Sequence, residues 1–305
     1  MAAGPTFLSV VIPTRNRLDS LRKVFNALEK QLPPPEGLEV VVADDGSTDG
    51  TAAFLQAPPR MPFRLRSVRL EGRGAAAARN VGIREATGSR ILLLGDDTFP
   101  AADLARGHTA ADPENRIGVQ GTVVWDPESP VTPVMRFLAP EGPQFYFRDL
   151  REGGPVPYTL QYAANLSAPR DWFLEEPFDE QFPEAAFEDT ELAWRWRRRG
   201  RVVIYREGLV CRHRHHYSSI EDYLSRPFAA GRAARYAAGR HPAMALRTVV
   251  QPLAVGAVHG ARHAFRALLG KASERDSWDL RCRAAFFRGF LSSRNGRSSA
   301  APDAS

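Results

Sequence analysis

Apolar residues recur along the first hundred positions in two alternating periods. Phe7 to Ile12, Leu38 to Ala43 and Ile91 to Leu94 are short apolar runs that predict buried strands, and Phe63 to Leu70 predicts another. Between them, Leu18, Leu21, Val24, Phe25 and Leu28 fall on one face at helical spacing, with Asp19 placed to cap the start. Gly74 to Ala86 is Ala-rich and predicts a second helix. Strands alternating with helices imply right-handed βαβ units and an α/β domain with a mostly parallel central sheet. Ligands of such sheets bind beyond the carboxyl ends of the strands. Asp44-Asp45 and Asp96-Asp97 each follow a strand, so the pattern sets both pairs at one rim.

The second half is less regular. Asp126 to Pro157 is rich in Pro and Gly and predicts a long irregular segment, functional or mobile. Glu188 to Arg199 predicts a helix and Val202 to Tyr205 a strand. Ile220 to Ala238 predicts a helix with a break near Pro227, and Leu246 to Leu269 and Leu280 to Leu291 are further helical patches. Ser292 to Ser305 is small and polar, and is expected to be disordered. The expected division is a catalytic domain over 1–210, a basic helical module over 211–291 and a tail over 292–305.

Charge sharpens that division. From Cys211 onward 16 Arg and Lys face 6 Asp and Glu, a net of +10; the preceding 25 basic and 29 acidic residues net −4. This argues against a chain-wide nucleic-acid binder and suits a catalytic domain with a basic appendage able to meet an anionic surface. Two cysteines, Cys211 and Cys282, exclude a disulfide framework and a Cys-based zinc site, and predict a reducing compartment. Met1 to Thr6 lacks the pattern of a secretory signal, and the best apolar stretch, Thr248 to Val258, is too short to span a membrane. A cytoplasmic location is expected, peripheral to the membrane if the basic end docks there.

Candidate chemistry gathers at the strand ends. Two carboxylates after a strand, Asp96-Asp97, suit a hard divalent cation bridging phosphate oxygens, although an isolated Asp-Asp is commonly a solvated turn. Asp44 or Asp45, after the second strand, can accept from a base N–H or close an Asx turn. Arg79 lies where a helix near the rim can present a cation to a nucleotide. Glu188-Asp189 opens a helix, whose positive end favours an ionised Asp189 able to act as a base; N-capping is the plainer use. His213, His215 and His216 crowd four positions after a strand and include a candidate metal ligand. Gly72 to Ala77 mimics a dinucleotide fingerprint but follows the third strand, so an NAD role is set aside.

In order and spacing these segments, from Leu8 to about Arg240, resemble the inverting family 2 glycosyltransferases, whose catalytic domain is a Rossmann-like GT-A fold. The resemblance implies that Pro13, Thr14, Arg15 and Asp45 line the nucleobase and ribose pocket, with Arg79 beside the nucleotide. Asp96-Asp97 matches the family's acidic triplet, with Asp96 expected on the nucleotide and Asp97 coordinating Mg²⁺ or Mn²⁺; Gly95 stands where the triplet begins with Asp. Glu188-Asp189 matches the motif whose Asp deprotonates the acceptor hydroxyl, and His213 falls where relatives place a His near the metal. The implied donor is a nucleoside-diphosphate sugar, by default of uridine with thymidine and guanosine as alternatives. The acceptor is a carbohydrate or lipid-linked hydroxyl, and the basic C-terminal helices are a candidate peripheral membrane contact. An inert nucleotide-binding scaffold and a sugar nucleotidyltransferase compete with this reading; Glu188-Asp189 opposes the first, and the lack of a Gly-rich phosphate loop over Val10 to Arg17 opposes the second.

Overall fold

In the computed structural model, residues 7–34, 36–250, 261 and 273–292 are described. The chain divides into two compact units, Met1–Glu180 with Asp189–His216, and Gln181–Glu188 with Tyr217–Ser305.

The first unit is built on one eight-stranded sheet. Its strands are β1 (Leu8–Thr14), β2 (Leu38–Asp44), β3 (Arg64–Arg69), β4 (Arg90–Leu94), β5 (Thr98–Pro100), β6 (Gly118–Trp125), β7 (Asn165–Pro169) and β8 (Val203–His213). They lie in the order β3-β2-β1-β4-β7-β6-β8-β5. The pairs β1–β2, β2–β3, β1–β4 and β6–β8 are parallel; β4–β7, β6–β7 and β5–β8 are antiparallel. Residues of β1, β2 and β4 are almost all buried, as their apolar runs require of parallel strands covered on both faces. Edge strand β3 is partly or fully exposed along its length and carries Arg64, Arg66 and Arg69, charges that discourage pairing with another chain.

Helices α1 (Leu18–Glu29), α2 (Thr51–Gln56), α3 (Ala75–Glu85), α4 (Leu104–Ala110), α5 (Pro133–Leu138), α6 (Arg170–Glu175) and α7 (Glu188–Arg198) complete the series through the first unit, with Glu188 itself assigned to the second. Leu21, Val24, Phe25 and Leu28 of α1 are buried in an apolar cluster with Val10, Ile12, Val40 and Leu92. The chain runs β1 to β2 to β3 in one direction and then returns to place β4 on the other side of β1. That reversal is a topological switch point at the carboxyl ends of β1 and β4, where Thr14 ends β1 and Asp96 follows β4.

Three expectations need correction. Asp19 lies within the first turn of α1 and does not cap it, the N-cap being Arg17. Asp126 to Pro157 is not wholly irregular: Thr132 caps α5 by accepting the Met135 N–H, and Pro133 occupies the first turn, where its missing N–H costs nothing. The strand expected over Val202 to Tyr205 is longer: β8 continues through His213, and the first compact unit reaches His216. The break expected near Pro227 is present: in the second unit α8 (Ile220–Tyr223) gives way at Leu224 to α9 (Ser225–Arg240), with Pro227 in the first turn of α9. There follow α10 (Pro242–Ala245), a π-helical turn over Leu246–Val250, and α11 (Glu274–Leu291). The rest of the expected patch to Leu269, apart from Ala261, and the tail beyond Ser292 lie outside the described residues. Among the described residues, no helix is long and apolar enough to cross a membrane.

Candidate active site

Thr14, the last residue of β1, ties two strand ends together. Its carbonyl accepts the backbone N–H of Asp45 at 2.8 Å, and its hydroxyl donates to Asp96 Oδ2 at 2.8 Å. Asp45 is buried; its two carboxylate oxygens accept the backbone N–H groups of Arg73 at 2.7 Å and Gly74 at 2.8 Å. Those amides turn toward one carboxylate because Gly72 and Gly74 adopt φ of 71° and 95°, conformations open to glycine. The stretch that mimics a dinucleotide fingerprint is thus an anion-binding nest for a side chain of this same chain. Arg15 Nη1 lies 3.8 Å from Asp45 Oδ2, with its side chain half exposed. Asp44 serves the turn: it accepts the Ser47 N–H at 2.9 Å and pairs with Arg69 Nη1 at 2.6 Å.

Asp96 and Asp97 follow β4 directly. Burial, and then the neighbouring Asp97 carboxylate, push the Asp96 carboxyl up to about 7; the Arg17 charge and the Thr14 hydroxyl pull the other way. Asp97 Oδ2 is approached by Arg17 Nη1 at 3.3 Å and by His213 Nε2 at 3.4 Å. Backbone register brings the histidine there. His213 ends β8 opposite Thr98 of β5 on one side and Trp125 of β6 on the other. Its ring is buried against Trp125 and Phe145, with centroids 5.4 and 5.6 Å away, and its Nδ1 has no hydrogen-bond partner among the described residues. Nε2 is therefore the nitrogen turned to the carboxylate.

A separation of 3.4 Å suits two ligands of one small divalent ion, each about 2.1 Å from it. Among the described residues there is no cluster of three or more His, Cys, Asp or Glu able to hold a metal. Remaining ligands would then be phosphate oxygens and water, the usual habit of Mg²⁺.

Asp189 belongs to the same rim. Antiparallel pairing sets Asn165 of β7 opposite Leu94 of β4, so the chain enters β7 through Tyr162 and Ala163 where Asp96 and Asp97 leave β4. Asp189 Oδ2 accepts the Ala163 N–H at 3.4 Å, and Oδ1 accepts the Thr190 N–H at 2.7 Å within the first turn of α7. Burial raises the Tyr162 phenol, and the Asp189 carboxylate adds to the shift. Phe145 packs edge-on against Tyr162 at 5.3 Å and against His213, which links the two ends of the rim through one aromatic ring.

Residues 9–161 match the family model described as Glycosyl transferase family 2. The chain belongs to glycosyl transferase family 2. It is similar to the succinoglycan biosynthesis protein ExoU of Rhizobium meliloti (strain 1021), 40% identical over 99 residues that cover 32% of this chain and 28% of that protein. It is also similar to validoxylamine A glucosyltransferase of Streptomyces hygroscopicus subsp. limoneus, 32% identical over 215 residues, 62% of this chain and 47% of that protein. The chain thus spans less than half the length of these curated relatives. Among solved structures it is similar to the mannosyltransferase PcManGT from Pyrobaculum calidifontis in complex with GDP-Man and Mn²⁺, with a TM-score of 0.66 over 94% of this chain and 88% of that one. At 19% identity that likeness is one of fold. The expected GT-A architecture, an α/β domain followed by helices, is the one observed.

Within this family 2 fold, Thr14, Asp45, Asp96, Asp97, Asp189 and His213 come together at the rim, with Pro13 and Arg15 flanking Thr14 in the chain. Arg79 lies on α3 with its guanidinium 5.3 Å from the centre of the Phe178 ring. Glu188 is buried at the start of α7. His215 stacks on His213 at 6.1 Å, and His216 is exposed. Two members of the rim escaped sequence reasoning. Arg17 was one of many arginines, and its position just before α1 was the signal available. Tyr162 lies 27 positions from Asp189, and nothing in sequence spacing joins them.

Proposed function

We propose that this chain is an inverting glycosyltransferase that moves a sugar from a nucleoside-diphosphate sugar to an acceptor hydroxyl in cell-surface polysaccharide or glycolipid synthesis. One observation carries the reading: Thr14 joins Asp45 to Asp96, and Ala163, two residues before the Asn165 that pairs with Leu94, holds Asp189. The name of the Rhizobium relative supports the polysaccharide setting. The donor class is supported by the GDP-Man in the Pyrobaculum complex; a uridine diphosphate sugar is the default.

In this reading Pro13, Thr14, Arg15 and Asp45 line the base and ribose, with Arg79 and Asp96 on the nucleotide side. Asp97 and His213 would hold Mg²⁺ or Mn²⁺, which would supply positive charge against the departing nucleoside diphosphate. Asp189 takes the proton from the acceptor hydroxyl as that oxygen attacks the anomeric carbon, and Glu188 supports it at the head of α7. The bond from that carbon to the diphosphate breaks with its electron pair leaving on the phosphate. Attack and departure on opposite faces invert the carbon.

The acceptor in this reading is a carbohydrate or lipid-linked hydroxyl, reached with peripheral contact to an anionic membrane. Support comes from the exposed Arg226, Arg235 and Arg240 of α9 and Arg288 of α11, and from Leu246 and Leu291, 64% and 75% exposed. Co-sedimentation with anionic but not neutral vesicles, lost at high salt, is the expected result; equal sedimentation with both would remove this part.

Calorimetry with UDP, GDP and dTDP, each with and without Mn²⁺, tests the donor site. One nucleotide should bind in an Mn²⁺-dependent way, and Asp97→Ala should abolish that dependence. Incubation with the matching nucleotide sugar should then release the nucleoside diphosphate. If no nucleoside diphosphate binds, or Asp97→Ala leaves the Mn²⁺ dependence intact, the reading fails.

A further inference from the structure

Arg17 occupies a position that its helix does not favour. It is the N-cap of α1 and makes no capping bond, and a cation there faces the positive end of the helix dipole. Ser, Thr, Asp or Asn would serve the helix better, so the arginine answers to something else. Its backbone is fixed on every side. Asn16, at φ 52°, donates its backbone N–H to Ser47 Oγ at 2.9 Å and accepts the Thr48 N–H at 2.7 Å. Leu18 donates its N–H to Asp49 Oδ2 at 2.9 Å, and the Arg17 carbonyl accepts the Leu21 N–H at 2.9 Å. The side chain, by contrast, is 40% exposed and places Nη1 3.3 Å from Asp97 Oδ2. That is the same oxygen approached by His213 Nε2 at 3.4 Å.

We infer that Arg17 is a donor-binding residue with two alternative anionic partners. Without an ion it neutralises Asp97, and with the ion and nucleotide present it gives up that oxygen and binds the diphosphate. The inference rests on the functional reading above and adds a residue to it. A guanidinium and a divalent ion repel each other and compete for one carboxylate oxygen, whereas a diphosphate attracts both. The two roles have effects of opposite sign.

Calorimetry on Arg17→Gln and Arg17→Lys, against wild type and Asp97→Ala, separates them. In Arg17→Gln, Mn²⁺ alone should bind more tightly than in wild type, on the order of tenfold for charges this close. Nucleoside diphosphate in saturating Mn²⁺ should bind more weakly by a similar factor, and Arg17→Lys should fall between. The thermal midpoint measured without metal or nucleotide should stay near wild type because the side chain is partly exposed. Weaker Mn²⁺ binding by Arg17→Gln, or unaltered diphosphate affinity, overturns the inference while leaving the functional reading intact. Absence of Mn²⁺ and diphosphate binding in wild type itself would instead strike the functional reading, and this inference with it.

Discussion

The Thr14 hydroxyl donates to Asp96 Oδ2 at 2.8 Å across the switch point of the sheet, and it does so to a carboxyl that burial and Asp97 have pushed up to about 7. In the folded protein this group holds its proton at pH values where the unfolded chain, with an Asp near 4, has lost it. The native state therefore binds more protons between about pH 4 and 7, and the contribution of Asp96 to stability falls as pH rises through that window. Without divalent ions, wild type should lose stability relative to Asp96→Asn as pH is raised from 5 to 8. Thermal melts across that range read this directly, and parallel curves for the two proteins would argue against it.

A side chain at position 95 has little room. A Cβ there would lie 2.7 Å from Thr98 Oγ1 and 2.9 Å from Asp97 Oδ1, and Thr98 is fully buried. Gly95→Ala should displace the Asp97 side chain, weakening Mn²⁺-dependent nucleotide binding by about tenfold and costing about 1–3 kcal/mol of stability, as overpacking does. Gly95→Asp, which restores the triplet's first residue, meets the same obstruction and should bind no better than wild type. Tighter Mn²⁺ binding by Gly95→Asp would contradict the steric account.

His108 lies fully buried on α4, with Nδ1 2.8 Å from Ser167 Oγ and Nε2 2.9 Å from Asn165 Oδ1. Burial lowers its imidazole to about 3, against the pull of the Asn165 bond. The folded protein keeps it neutral while the unfolded chain protonates it below about 6.5. Its contribution is present above that pH and is lost as pH falls toward 3, the reverse of Asp96. His108→Gln should be less stable at pH 7, by about 1–3 kcal/mol for disturbed buried hydrogen bonds, yet lose less on going to pH 4.5. Urea unfolding at the two pH values measures both, and equal losses in the two proteins would contradict the assignment.

How far the sequence could be read follows from where the information lies. Strands β1, β2 and β4 and helix α1 were legible because each carries its period locally. Strand β7 was not: Asn165 to Pro169 has no apolar run, and its place beside β4 is secured by polar partners such as Ser167, which accepts from Arg90 Nε at 2.9 Å. The acidic pairs were legible as strand-end motifs, and Thr14 only through the family resemblance, as a residue of the nucleotide pocket. That Thr14 bridges Asp45 to Asp96, and that Arg17 faces Asp97, depend on strand order, which no local period encodes. Helix α5 did carry a readable signal, Thr132 followed by Pro133, hidden in a Pro-rich stretch that favoured a loop.

The central claim is that Asp189, held by the Ala163 and Thr190 N–H groups, removes the acceptor proton at a site whose donor contacts lie elsewhere on the rim. Asp189→Asn separates the two functions, and its donor affinity and turnover should be measured side by side on the nucleotide sugar and acceptor that wild type uses. The account predicts donor binding within about twofold of wild type and turnover lower by ~10²-fold or more, the usual contribution of a general base. Undiminished turnover, or a loss explained wholly by weaker donor binding, would contradict it.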